Sequence, residues 1–369
     1  MKTQYDCDIA IIGGGLAGLS LSILAAKKGY QVTVFEKGDY PKNKVCGEYI
    51  SNESRYFLDN LGIDLNSLAL PQINKFVLTS NSGFKANCTL ETGGFGISRY
   101  LLDELLAKKA ISLGVTILTN CKVNDIINEE NGDKIICNNQ DECISKIAVI
   151  SYGRQTNSNQ LNIKKYVGVK YHVNTGPNDN TIEIHRFKGG YCGISKVENN
   201  QYCLCYLVEA EKLKLYNNSF ESLEKAMTNE NKFLKERFKT TFLKERITTS
   251  NLHFGIKDKN TTHVHLGDAA GFIPPVTGNG MSLAFRSANE IWFHLNQFLE
   301  GKISKSHLIE KNNQYISHYL NFRIQKGILL QNILLTKIAF MHQTMMFFMS
   351  KFPFFLKLLS KQATGKPIR

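Results

Sequence analysis

Residues 7–37 read CDIAIIGGGLAGLSLSILAAKKGYQVTVFEK. An apolar run long enough for a buried strand precedes Gly13, Gly15 and Gly18 at G-x-G-x-x-G spacing, and a helical pattern and a second apolar strand follow. In such a unit the first glycine permits a tight turn, the second lets the backbone approach a pyrophosphate, and the third lets helix pack on strand. Glu36 ends the second strand, where it can accept hydrogen bonds from a ribose diol. The stretch therefore predicts a dinucleotide-binding βαβ unit.

The start of the predicted helix strengthens this interpretation. A helix N-terminus presents unpaired N–H groups and about half a positive charge to phosphates. Leu16 and Ala17 open the helix, and Lys37 follows Glu36. We therefore include Leu16, Ala17 and Lys37 among the predicted binding residues.

Length and cysteine usage bound the class of protein. A chain of 369 residues is too long to form a single small hydrophobic core, so we expect two closely joined domains. No basic and apolar leader precedes the first strand, which predicts no secretion signal. The nine cysteines are scattered without a C-x-x-C pair, which favours free thiols in the cytoplasm and predicts no metal site.

The formal net charge of +13 is concentrated at the C-terminal end. From Lys302 onward, eleven Lys and Arg residues, Lys337 among them, face one acid, Glu310, which accounts for +10 of that charge. No nucleic-acid recognition module accompanies this charge, so nucleic acid is not a predicted partner. An anionic lipid surface or an acidic substrate fits it better.

Residues 327–360 predict an unusual helical tail. Polar residues recur every seven positions, most others are Ile, Leu, Met or Phe, and Pro353 breaks the pattern. Lysines interrupt the run well short of the ~20 apolar residues of a membrane span. Two interpretations stay open: a helix docked over the protein's own core, or an interfacial helix that touches the inner face of a membrane and admits an apolar substrate.

The middle of the chain changes to strand patterns. Four alternating stretches predict an antiparallel sheet: 166–173, 181–187, 190–197 and 201–208. A one-residue shift would reverse the faces of a strand, so no side chain on this sheet is named catalytic. Its polar aromatic residues are Tyr171, His172, His185, Tyr191 and Tyr202. A helical pattern resumes over 219–245.

A second glycine-rich motif, GDAAGFIPPVTGNGMSLA at 267–284, follows another buried strand. Asp268 lies at the carboxyl end of that strand, where open α/β sheets bind ligands. Gly278 and Gly280 open the next helix, whose N–H groups can face an anionic ring edge.

Together, the two glycine motifs resemble those of the FAD-dependent oxidoreductases of the para-hydroxybenzoate hydroxylase fold. PKNKVCGE at 41–48 and GGYCGISKVE at 189–198 resemble the geranylgeranyl-reductase-like branch. The resemblance implies an α/β fold: a discontinuous Rossmann-like FAD-binding domain, an inserted antiparallel sheet as substrate domain, and a basic, amphipathic C-terminal helical region. The expected boundaries are 1–70, 93–153 and 255–300 for the FAD-binding domain, 71–92 and 154–254 for the substrate domain, and 301–369 for the helical region.

The resemblance also implies FAD as the cofactor and gives roles to residues of the second motif. Asp268, beside Gly267, would hold a ribityl hydroxyl of the flavin. Gly278, Gly280 and Met281 would face its pyrimidine edge.

Four further residues are implied to lie near FAD. Arg99 would contact a phosphate or ribose, since a guanidinium suits both, and the backbone of Val123 would contact the adenine. Lys44 and Cys46 match a K-x-C-G segment near the flavin ring. Cys46 either tunes the flavin, contacts substrate or is a buried thiol, and nothing marks it as a nucleophile.

The segment expected to help dock the reductant departs from the family pattern. Aromatic hydroxylases of this fold carry Gly-Ala-Asp-Gly after the strand that ends near position 150, whereas this chain has Ser151-Tyr152-Gly153-Arg154. Reduction by NAD(P)H, the expected reductant, and reduction by a partner reductase both stay open.

The leading hypothesis is an FAD-dependent monooxygenase that hydroxylates a hydrophobic substrate, a phenol or a polyketide lipid. The alternatives are an ene reductase of isoprenoid chains and a non-catalytic, membrane-associated flavin-binding protein. A halogenase of this fold should show W-x-W-x-I-P, and the single tryptophan, Trp292, has no such context.

Overall fold

The computed structural model describes residues 5–129, 132–138, 141–154, 164–256, 260–336 and 338–369. Within these residues, two large β-sheets and one two-stranded sheet are packed with helices. Lys337 of the basic tail lies outside these residues. The strands are β1 (Cys7–Ile12), β2 (Val32–Phe35), β3 (Tyr49–Ser51), β4 (Gln72–Thr79), β5 (Lys85–Gly96), β6 (Thr116–Leu118), β7 (Val123–Glu129), β8 (Gly132–Cys137), β9 (Glu142–Ile150), β10 (Tyr166–Val173), β11 (Thr181–Phe187), β12 (Gly190–Lys196), β13 (Tyr202–Glu209), β14 (Ile247–Leu252), β15 (Gly255–Ile256), β16 (Val264–His265) and β17 (Gly271–Phe272). The α-helices are α1 (Leu16–Ala26), α2 (Arg55–Leu61), α3 (Arg99–Ser112), α4 (Ala210–Lys214), α5 (Phe220–Glu230), α6 (Lys232–Arg237), α7 (Gly280–Leu299), α8 (Lys305–Gln314), α9 (Asn321–Leu334), α10 (Ala339–Lys351) and α11 (Pro353–Ala363).

The first sheet is built around β1. Within the described residues its order is β6-β2-β1-β9-β8-β7, with β16 also paired to β9. β1 runs parallel to both β2 and β9, so its apolar run is covered on both faces. Ile9 and Ile11 face the core shared with α1, α3 and α7, while Ala10 and Ile12 face β8. The predicted βαβ unit is confirmed, and β16 brings the second glycine motif to the same sheet edge.

The second sheet collects strands from three parts of the chain. In the described residues its order is β14-β10-β13-β12-β11-β4-β5-β3. The predicted antiparallel sheet is confirmed, but β4 pairs with β11 in parallel, because the chain crosses over between them. β3 and β14, at its two edges, were not predicted.

The register of β10 and β13 decides which side chains share a face. His172 lies opposite Cys203 and Lys170 lies opposite Cys205, on the face that meets the loop before β3. Tyr171 points to the other face, where its hydroxyl donates to Glu224 Oε1 at 2.7 Å.

The helical pattern predicted over 219–245 is wrong after residue 237. Two short helices, α5 and α6, occupy 220–237, and the described chain from 238 to 246 is not helical. Asn231 causes the interruption, because it leaves helical geometry and its side chain caps α6 by accepting from Phe233 N and Leu234 N.

The C-terminal helices pack on the second sheet. A π-helical turn, Tyr315–Leu320, joins α8 to α9, and α10 and α11 lie against β5. The predicted break at Pro353 is confirmed, because α11 begins at this residue. Among the described helices, none is both long and apolar enough to cross a membrane.

Candidate functional site

The three glycines of the first turn differ in what surrounds them. Gly13 has φ +110°, and a Cβ there would lie 2.5 Å from Tyr152 Cα. A Cβ on Gly18 would lie 2.5 Å from Ser151 Oγ and closer still to the Gly13 carbonyl oxygen. A Cβ on Gly15 would meet nothing within 4 Å. Gly13 and Gly18 therefore serve packing, whereas Gly15 faces open space beside the N-terminus of α1.

Glu36 lies directly against this turn. Its carboxylate accepts from Gly14 N at 2.8 Å and from Gly38 N at 3.0 Å. The Tyr40 hydroxyl donates to the Gly14 carbonyl oxygen, so Tyr40 closes the turn from the loop side. Sequence reasoning missed Tyr40, because a single aromatic in a loop carries no periodic signal.

The second glycine motif meets the first. Gly267 has φ +55°, and a Cβ there would lie 3.1 Å from Ala17 Cβ in the first turn of α1. Leu16 and Met281, from the first turns of α1 and α7, belong to one buried cluster. The N-terminal turns of α1 and α7, more than 250 residues apart in sequence, therefore lie close together.

Asp268 is a partly buried carboxylate near several cations. Burial raises the pKa of Asp268, and Arg154, Arg99 and Lys44 oppose that change. Among the described residues, none donates a hydrogen bond to its oxygens. These oxygens are therefore free to accept from a hydroxyl of a ligand.

Arg99 is held by its own helix. Its Nε and Nη2 donate to Asp103 Oδ1 and Oδ2 at 2.7 and 2.8 Å, and Lys44 Nζ lies 2.7 Å from Asp103 Oδ2. Burial would raise the pKa of Asp103, but Arg99 and Lys44 hold it below its ordinary value. Arg99 and Lys44, predicted separately, are thus fixed by one carboxylate that the sequence analysis did not single out.

Cys46 is a thiol in this environment. Burial raises the pKa of Cys46, although Arg99 acts in the opposite direction. Its sulfur accepts from Glu48 N at 3.5 Å. Burial therefore disfavours the thiolate form of Cys46.

A buried ionic cluster lies beneath the loop that carries Lys44 and Cys46. Glu48 pairs with Lys170 Nζ, its Oε2 lies 2.7 Å from His172 Nε2, and its Oε1 accepts from Arg99 N at 2.8 Å. Burial would raise the pKa of Glu48, but His172 and Lys170 lower it. This cluster fixes the loop to the second sheet and to the start of α3.

The same cluster has the donors of a metal site. Glu48, His172 and Cys203 offer ligand atoms within 4.8 Å of one another. The Lys170 ammonium, however, already neutralises Glu48, and Cys203 Sγ donates to the Cys46 carbonyl oxygen at 3.2 Å. The group is therefore satisfied without an ion.

The other polar aromatic residues of the second sheet lie elsewhere. His185 bonds to Thr79 and Glu183, and Tyr202 bonds to Asp179. Tyr191 packs in the cluster formed with α9, α10 and α11. His172 is therefore the member of this set that reaches the loop of Cys46.

Three predicted positions lie at the edge of the region where the two glycine motifs meet. Val123 packs with Ile12 and Phe35 at the carboxyl ends of β1 and β2. Gly278, at φ +60°, faces the Tyr49 ring, and Lys37 is exposed. Lys37 is therefore the least enclosed of the predicted residues.

The segment that lacks the expected acid has a structural role. Ser151 Oγ donates to the Gly13 carbonyl oxygen at 2.7 Å. Arg154 Nη2 donates to Thr249 Oγ1 at 2.8 Å, and its guanidinium lies 5.0 Å from the Phe272 ring centroid. It therefore supports the first turn and adds a cation near Asp268.

Comparisons with known proteins agree with this geometry. Residues 6–147 match the family model described as FAD binding domain. A flavoprotein/dehydrogenase from Cytophaga hutchinsonii superposes with a TM-score of 0.73 at 18% identity, covering 96% of each chain. This chain has the α/β fold of that flavoprotein. A flavin-dependent brominase shares it, with a TM-score of 0.78 at 17% identity over 98% of this chain and 94% of the brominase.

Two curated relatives are similar to this chain in sequence. Conditioned medium factor receptor 1 of Dictyostelium discoideum is 25% identical over 329 residues, which is 76% of this chain and 61% of the receptor. Kynurenine 3-monooxygenase of Christiangramia forsetii is 30% identical over 132 residues, which is 33% of this chain and 30% of the enzyme. The chain thus spans less than two thirds of either relative.

Proposed function

We propose that this chain is an FAD-dependent monooxygenase that hydroxylates a hydrophobic substrate, a phenol or a polyketide lipid. The observation that carries the proposal is the meeting of two glycine turns beside a carboxylate with free oxygens. Gly15 leaves room for a pyrophosphate, and the Asp268 oxygens can accept from a ribityl hydroxyl. Glu36, which accepts from Gly14 N and Gly38 N, would accept from a ribose hydroxyl through its remaining lone pairs.

The residues fit FAD in charge as well as in shape. The N-termini of α1 and α7 add partial positive charge to the cations near Asp268, and these together suit phosphates and an anionic ring. When bound, FAD supplies the electron transfer and the reaction with oxygen. This chain's residues bind it, orient it and exclude water.

An apolar substrate fits the surroundings of the second motif. Phe272 and Val276 pack with Tyr166 and Leu207 of the second sheet and with Leu334 of α9. Phe272 follows Asp268 by four residues, so this cluster includes part of the second glycine motif. A polar substrate would leave buried groups unpaired there.

Hydroxylation is preferred over reduction because the relative named as a monooxygenase is 30% identical over 132 residues, whereas a menaquinone reductase of Mycolicibacterium smegmatis is 26% identical over 139 residues. NAD(P)H is the proposed reductant. A partner reductase would replace it if the departure at Ser151–Arg154 weakens nicotinamide docking.

Oxygen isotope labelling tests the proposal. Purified holoprotein is mixed with NADPH or NADH, a panel of phenols and polyketide lipids, and ¹⁸O₂. We expect one ¹⁸O atom in the product and no product from the Gly15→Ala variant. Product that gains two hydrogens without ¹⁸O would identify a reductase. Conversion of no substrate, even after the flavin is reduced with dithionite, would identify a non-catalytic binding protein.

A further inference from the structure

The C-terminal helices expose an unusual number of large apolar side chains. Phe340 is 77% exposed, Phe354 is 68% exposed and Phe352 is 53% exposed. We call the complete set the aromatic face: Phe340, Met341, Phe347, Phe348, Phe352, Phe354, Phe355 and Leu358. Contiguous apolar patches of this kind mark interaction surfaces in soluble folds.

The aromatic face is not the side of these helices that packs against the rest of the protein. The opposite side of the same helices is already docked, with Met346, Met349 and Leu356 buried against the second sheet. Arg186 fixes the segment before α10, because it donates to the carbonyl oxygens of Leu334 and Thr336, each at 2.7 Å. The helices are therefore held with their aromatic side outward.

Cations accompany the aromatic face. No Asp or Glu follows Glu310, while Lys351, Lys357 and Lys361 lie within α10 and α11. Lys357 and Lys361 share a single carboxylate, Glu91, at 3.2 and 3.1 Å. The surface therefore keeps a positive balance.

A groove of about 730 Å³ extends this positive surface. Phe354 and Lys357 form part of its wall together with Lys75 and Lys85 of the second sheet. Its acid, Glu183, is already paired with Arg237 at 2.7 Å. Lysine side chains of α11 and of the second sheet therefore lie along the edge of the aromatic face.

We propose that α10 and α11 dock this protein on an anionic phospholipid bilayer, with the aromatic face inserted among the acyl chains and the lysines on the headgroup phosphates. Aromatic and Met side chains bordered by lysines are what an interfacial helix presents to such a surface. A second copy of the chain is a poorer occupant, because each copy brings the same cations and no acid from its tail. The inference rests on neither FAD binding nor the proposed reaction.

Vesicle sedimentation of the full-length protein tests this inference. We expect binding to equimolar phosphatidylcholine and phosphatidylglycerol vesicles, and weaker binding to pure phosphatidylcholine or at high salt. The triple variant Phe347→Ser, Phe348→Ser, Phe354→Ser should lower binding at least about tenfold, since it removes buried apolar area at the bilayer. Phe293→Ser is the matched control, because Phe293 is 62% exposed but lies on α7.

Several results would overturn the inference. Binding that is absent, or equal for the triple variant and wild type, would contradict it. Dimerisation lost in the triple variant without vesicle binding would assign the face to self-association. Circular dichroism shows whether each variant folds, with or without bound flavin, so failure of lipid binding is distinguishable from failure of the proposed function.

Discussion

The helix α7 and the pair α10 and α11 are both rich in apolar residues but bury them differently. α7 turns Met281, Phe285 and Ile291 into the main core and leaves one large aromatic, Phe293, exposed. The C-terminal pair buries a narrow row and leaves the aromatic face in contact with solvent. An apolar pattern therefore predicts which face of a helix is buried only when the neighbouring elements can cover all the apolar residues of that helix.

The regions also differ in what holds them in place. At Gly13 and Gly18 an added Cβ would overlap neighbouring backbone atoms, so these two positions have no free space to absorb a change. At the C-terminal helices, side chains meet the sheet, and the aromatic face is largely exposed to solvent. We therefore expect substitutions near the turns to have the larger effects.

The largest effect is predicted for Gly18→Ala. The new Cβ would overlap the Gly13 carbonyl oxygen and lie 2.5 Å from Ser151 Oγ, both on packed backbone segments. We expect the free energy of unfolding in urea to fall by roughly 3 kcal/mol or more, as for severe overpacking. Gly15→Ala is the matched control, and its stability should stay close to wild type, because φ is −85° and nothing lies within 4 Å. Equal stability of the two variants would contradict the account of this turn.

Glu48→Gln tests the buried charges between the two sheets. The variant keeps the shape of the side chain but leaves Lys170 without a counter-charge in a fully buried position. We expect a loss of about 3–5 kcal/mol in the free energy of unfolding. Glu91→Gln removes the exposed partner of Lys357 and should leave stability unchanged. A stable Glu48→Gln protein would mean that Lys170 is neutral or solvated.

Two substitutions on α10 compare its buried and exposed sides. Met346 is fully buried, whereas Phe348 is 46% exposed. Met346→Ala should cost about 2–5 kcal/mol and increase amide hydrogen exchange across α10. Phe348→Ser should change stability by no more than about 0.5 kcal/mol. The reverse order would show that α10 is docked by its other face.

The smallest effect is a pH dependence of the docked α10. Burial, with Arg186 nearby, lowers the pKa of His342 to about 4, whereas its ordinary value is 6.5. Between these values the unfolded chain binds more protons, so the free energy of unfolding should fall as the pH falls from about 6.5 to 4. His342→Phe should reduce this slope in urea titrations, and His307→Gln, at an exposed site on α8, should preserve it. An unchanged slope in His342→Phe would assign the acid sensitivity to other groups.

Sequence reasoning succeeded where the signal is local. The βαβ unit follows from the pattern of residues 7–37, and the close packing at Gly13 and Gly18 follows from the spacing of one turn. The Glu48 cluster could not be predicted, because Glu48 and Lys170 are 122 positions apart and no pattern links them. To predict the sheet face on which His172 lies also requires the register of β10, because a shift by one residue would move every side chain of the strand to the opposite face.

The central claim is that both glycine turns hold one FAD molecule. Titration calorimetry of the apoprotein tests it most directly, with Gly15→Ala and Asp268→Ala as variants from the two motifs. We predict one FAD per wild-type chain and at least about tenfold weaker binding in each variant, with unchanged circular dichroism. Wild-type affinity in Asp268→Ala, or no FAD binding by the wild-type chain, would contradict the claim.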